Sequence, residues 1–133
     1  MPHTWIGSGF IQTVRLSLAY ERERDRSLVL AAGVPRRWIT DGRHVAVERM
    51  PTHFGILGYH LRAESPDRLV LRLSGHMNPP PGGIIVRPPL ERPLTAVSVN
   101  GRPVDTFTAE EATFWEFPAE VVMESGAVAA GNP

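Results

Sequence analysis

Apolar residues in this chain recur at every second position, in runs of only a few residues each. Leu57, Tyr59 and Leu61 share one side of a run, and Leu69, Leu71 and Leu73 share one side of the next, with Arg68, Arg72 and Ser74 opposite. Such alternation is what a strand with one buried and one solvated face requires. Glu64-Ser65-Pro66-Asp67 between the two runs predicts a hairpin with a buried side. His44 to Met50 alternates too, and Phe54 to Ala63 follows the break at Pro51. Ser27 to Ala32 reads as a buried strand ended by Gly33 and Pro35, and the charged Glu21-Arg22-Glu23-Arg24-Asp25-Arg26 before it as a solvated hairpin tip. Gly83 to Arg87, Leu94 to Val99, Thr113 to Phe117 and Ala119 to Glu124 add further short strands. Asn100-Gly101 predicts a tight type I′ hairpin into Arg102-Pro103-Val104, because both residues tolerate positive φ. Asn78-Pro79-Pro80-Pro81-Gly82-Gly83 predicts a loop, since successive prolines remove ladder donors.

A helix fits only near the start. Ile6, Phe10, Val14 and Leu18 recur at i+4 with Ile11 beside them, and Ser8 is placed to cap the first turn. The expectation is a helix from Thr4 to Arg15 and extended chain to Tyr20. Thirteen prolines and twelve glycines, spread as punctuation over 133 residues, favour many short strands over helices. The predicted architecture is therefore all-β: one domain over 1-133, with an N-terminal helical segment 1-20, an antiparallel two-sheet β-sandwich over 21-124 and a flexible tail 125-133. A small barrel is the alternative.

Composition narrows the function classes without choosing one. Fourteen arginines, no lysine and fourteen acidic residues cancel to zero net charge, so there is no electrostatic footprint for nucleic acid or an anionic membrane. The absence of cysteine excludes disulfides, thiolate zinc sites and cysteine nucleophiles. No apolar run approaches the roughly 20 residues of a membrane span, and Met1-Pro2-His3 has neither the basic nor the apolar region of a signal peptide. As written the chain reads as cytoplasmic, with a secreted parent protein left open.

Four segments in order carry a family resemblance: Gly33-Val34-Pro35-Arg36-Arg37-Trp38-Ile39, Pro51-Thr52-His53-Phe54-Gly55-Ile56-Leu57-Gly58-Tyr59, Pro80-Pro81-Gly82-Gly83 and Val97-Ser98-Val99-Asn100-Gly101-Arg102-Pro103. Their order and spacing resemble the C-terminal β-domain of large bacterial (α/α)6-barrel glycoside hydrolases of the α-L-rhamnosidase type, over about Trp5 to Glu124. The resemblance implies a small β-sandwich without catalytic carboxylates of its own. It makes the helix from Thr4 to Arg15 the last helix of a barrel, so the implied partner is a catalytic (α/α)6 domain, or a second copy of this chain through that helix.

Candidate chemistry beyond the resemblance is sparse. Glycoside hydrolysis needs two carboxylates flanking the bond; Glu110-Glu111 and Glu116 with Glu120 are the nearest pairs, without a surrounding signature. His3, His44, His53, His60 and His76 form no H-x-H or H-x-x-x-H pair, and His53 and His60 lie seven apart. Ser8 and Ser74 lie in no G-x-S-x-G elbow, and Gly82-Gly83 lacks the spacing of a phosphate loop. Neither a metal nor a cofactor is part of the reading. Aromatic residues remain: Trp38, Tyr59 and Trp115 are the candidate carbohydrate-binding residues, because ring faces with a polar rim hold sugars by apolar contact. Since Phe114 and Trp115 are adjacent on an alternating run, one of the two must face outward. The expected function is a non-catalytic accessory domain that packs on a catalytic barrel or self-associates. The alternative is a carbohydrate-binding module that holds an oligosaccharide on exposed aromatics.

Overall fold

A computed structural model describes residues 18–126. The chain forms β1 (Ala19–Arg22), β2 (Ser27–Leu30), a 3-10 turn (Arg36–Trp38), β3 (His44–Thr52), β4 (Gly55–Ser65) and β5 (Arg68–Met77). It continues with β6 (Ile84–Val86), β7 (Leu94–Val99), β8 (Arg102–Val104), β9 (Ala112–Phe114) and β10 (Ala119–Ser125). They assemble into a six-stranded sheet, order β3-β4-β5-β10-β7-β8, and a four-stranded sheet, order β1-β2-β6-β9.

The alternation seen in the sequence closes the two layers on each other. Leu57, Tyr59, Leu61, Leu69, Leu71, Leu73, Val97, Val99, Val121 and Met123 of the larger sheet form one buried cluster with Leu28, Leu30, Ile84, Val86, Ala112 and Phe114 of the smaller. Register makes this possible: Leu61 is paired with Leu71, Leu71 with Val121 and Val121 with Val99, so one apolar row crosses four strands. Two facing sheets over one apolar layer are the sandwich that the pattern predicted.

Two hairpins match their sequence signals closely. Asn100 and Gly101 both adopt positive φ, 52° and 81°, the requirement of the type I′ turn between β7 and β8. The hairpin of β4 and β5 pairs Ser65 with Arg68, leaving Pro66 and Asp67 as its tip. Within that ladder Gly75, paired with Leu57, holds φ at 116° with the Ile56 carbonyl so close to where a Cβ would sit that a side chain there would collide with backbone.

Three expectations are corrected. The sandwich is not wholly antiparallel: β2 and β6 run parallel, Leu28 beside Ile84 and Leu30 beside Val86. Parallel neighbours need a long crossover, and here it is the β3-β4-β5 meander in the opposite sheet. Both strands are buried on both faces, as parallel strands usually are. Pro51 does not end its strand, because β3 is an edge strand with a bulge between Val47 and Met50, where Arg49 takes φ 52°. The chain is also still paired at 125: Ser125 belongs to β10, its N–H donates to the Asp67 carbonyl, and the Gly126 N–H donates to the Pro93 carbonyl. The helix expected from Thr4 to Arg15, and the tail from 127 onward, lie outside the described residues. Among the described residues no helix is long and apolar enough to cross a membrane.

Candidate binding groove

β9 is where alternation produces a surface feature. Phe114 points into the core and is 1% exposed, which turns its neighbours Thr113 and Trp115 to the outer side of the four-stranded sheet. Trp115 is 47% exposed and is the one large apolar side chain left at the surface among the described residues. Its ring is fixed. The indole Nε1–H donates to the Pro81 carbonyl at 3.2 Å, and the Trp115 backbone N–H donates to Glu116 Oε1 at 3.0 Å.

Beneath the ring lies Gly83, next to β6. A Cβ there would stand 3.0 Å from Trp115 Cε2 and 3.0 Å from Thr113 Cγ2, and the backbone holds φ at +89°. Both the close approach and the positive φ call for glycine. The proline loop thus has a second function besides ending β5: Pro81 anchors the indole, and Gly83 leaves room for the ring.

Trp115 borders two open hollows. One, about 440 Å³, is lined by Arg22, Asp25, Ile85, Phe107, Glu111 and Thr113; the other, about 560 Å³, by Arg102, Pro103, Val104, Phe114 and Glu116. Asp105, Thr106 and Trp115 line both. The loop carrying Asp105 and Thr106 is held by side-chain hydrogen bonds: Thr106 Oγ1 donates to the Thr113 carbonyl at 2.6 Å, and Thr108 Oγ1 accepts from the Glu110 and Glu111 N–H groups.

Most charges along the groove are paired. Arg22 meets Asp25 at 2.7 Å, and the Ser27 hydroxyl donates to the same carboxylate at 2.6 Å, so Asp25 is held well below the usual carboxylate range. Glu116 Oε2 meets Arg102 at 2.6 Å, and Glu111 meets Arg87 at 3.5 Å. Among the described residues Asp105 has no such partner.

The three sequence candidates part company here. Tyr59 is 2% exposed, its hydroxyl donates to the Leu18 carbonyl at 2.7 Å, and burial pushes its phenol upward in pKa. Its ring offers no face to a ligand; it stands on the same side of β4 as Leu57 and Leu61, the side that forms the core. Trp38, in the 3-10 turn, is half-buried against the core. Only Trp115 has the exposure that stacking requires.

The other chemistry does not converge. His53 at the β3-β4 tip binds Glu21 through Nε2 at 3.2 Å, whereas His60 stacks on His44 across the outer face of the six-stranded sheet, ring centroids 4.4 Å apart. The pKa of His60 is lowered by desolvation first, then by His44, Arg62 and Arg72. Among the described residues no three His, Asp or Glu side chains gather in a metal-binding group. The acids considered for hydrolysis are all engaged by arginine: Glu110 and Glu111 by Arg87, Glu116 by Arg102, Glu120 by Arg72. Sequence reasoning missed Asp105, Gly83 and the Arg22–Asp25 pair, all of which read as ordinary turn residues. The available signal was Gly83, two residues after a proline run, with a tryptophan just past the end of β9.

Compared with protein-family models, with curated proteins and with solved structures, the chain matches none, so the resemblance to glycoside hydrolase C-terminal domains rests on the four segments alone.

Proposed function

We propose that this chain is a non-catalytic accessory β-sandwich that holds an oligosaccharide in the groove bordered by Trp115. One observation carries the reading: an indole left 47% exposed to solvent yet held by the Pro81 carbonyl and seated closely against Gly83. An exposed apolar ring is costly in water, and fixing it in advance lowers the ordering penalty of binding. Sugar rings present C–H faces to such a platform and hydroxyls to a polar rim. Thr106, Asp105 and the paired charges of the two hollows supply that rim. Docking on a catalytic barrel or on a second copy belongs to the same proposal through the segment Thr4 to Arg15, and light scattering at high concentration tests the second copy.

The test of the groove is a two-dimensional NMR titration with plant and bacterial oligosaccharides, following the three tryptophan indole signals. The Trp115 signal shifts with a binding sugar, those of the other tryptophans stay put, and Trp115→Ala abolishes binding while leaving a dispersed β-type spectrum. Silence of the Trp115 signal across the whole panel overturns the reading.

A further inference from the structure

We infer that the groove takes a linear chain of amino sugars, whose ammonium groups are recognised jointly by the indole face of Trp115 and the carboxylate of Asp105. The inference rests on the saccharide reading above and narrows it. Its starting point is the charge inventory of the two hollows. Asp25, Glu111 and Glu116 each face an arginine, whereas Asp105, which lines both hollows beside the ring, faces none among the described residues. An uncompensated carboxylate next to an open indole suits a cation on an apolar body: the ring quadrupole attracts the ammonium, the carboxylate matches its charge, and the sugar's C–H face covers the ring. A polyuronate brings like charge to Asp105 and is disfavoured for the same reason.

Shape sets the length of the ligand. Neither hollow is a closed socket, and Trp115 lines both, with Asp105 and Thr106. A single sugar on Trp115 leaves both hollows empty, whereas a chain lying across the ring places units in each. Affinity therefore grows with chain length until both hollows are filled.

The experiment is calorimetry with indole NMR on the full chain, using glucosamine oligomers of one to six units, their fully N-acetylated counterparts, neutral gluco-oligosaccharides and oligogalacturonates. At low salt and mildly acidic pH the amine form binds about 3- to 10-fold tighter than the acetylated form. That advantage disappears in Asp105→Asn and at high salt, and affinity rises from the monomer to the longer chains. Asp105 is exposed and has no ion-pair partner among the described residues, so its variant keeps the fold, which circular dichroism checks. Equal binding of amine, acetylated and neutral chains, an unaltered preference in Asp105→Asn, a monomer as tight as a hexamer, or a preference for the uronate overturns this inference while sugar binding stands. Failure of every chain to shift the Trp115 signal overturns the saccharide reading itself.

Discussion

Replacing Gly83 by alanine tests whether the Trp115 platform is built from below. Two effects add. At φ +89° a non-glycine residue is strained by roughly 1–2 kcal/mol. The new methyl also meets Trp115 Cε2 and Thr113 Cγ2 at 3.0 Å, so the ring or the strand must give by a few tenths of an ångström. Backbone bonds resist a shift of residue 83 itself: its N–H donates to the Pro80 carbonyl at 2.9 Å, and its carbonyl accepts from the Leu28 N–H at 3.1 Å. Against these stands a gain of about 0.4–1 kcal/mol from the less flexible unfolded chain. The net expectation is a loss of about 1–3 kcal/mol, or roughly 4–15 °C in Tm for a domain of this size. Gly42→Ala is the internal control: φ there is +79° with nothing within 4 Å of the added methyl, so it reports backbone strain without the contact. Urea unfolding of both variants gives the two terms separately, and the indole NMR signal of Trp115 reports whether the ring has moved. Gly83→Ala that unfolds at the same urea concentration as Gly42→Ala, with the Trp115 signal unshifted, would refute the argument that the glycine supports the ring.

Phe114→Ala empties the largest fully buried side chain among the described residues and should cost about 3–5 kcal/mol by urea unfolding; a loss below about 1 kcal/mol would mean that the two sheets do not meet over that ring. Tyr59→Phe removes one hydrogen bond but leaves the Leu18 carbonyl its second donor, the Ala31 N–H, so a loss of about 0.5–1.5 kcal/mol is expected, with oligosaccharide affinity unchanged because the ring is internal. His60 has a folded pKa below its ordinary 6.5, so between the two values the unfolded chain binds more protons and stability rises with pH. Lowering the pH from about 7.5 to about 5.5 therefore destabilises the protein, and His60→Gln reduces that loss; an identical pH dependence in the variant would show that the stacked pair contributes nothing to it.

The sequence determined the strands because each has a local cause. Period-two alternation placed β3, β4, β5 and β7, and Asn100-Gly101 fixed its own turn, since the φ values needed there depend on no distant residue. Even Trp115 was half legible: adjacency to Phe114 on an alternating strand meant that one ring must face out, and the core took the phenylalanine. What alternation does not encode is which sheet a strand joins. The parallel pairing of β2 with β6 depends on a crossover through the opposite sheet, and Pro51 stays within β3 because that strand lies at an edge, a property of the assembled sheet. The groove is tertiary for the same reason. Its walls come from the β1-β2 hairpin, the proline loop, the β8-β9 loop and β9 itself, brought together only when the four-stranded sheet forms. Tyr59 and Trp115 look alike as aromatic candidates along the chain, and it is the side of the sheet each occupies, inner for one and outer for the other, that makes the first a core residue and leaves the second exposed.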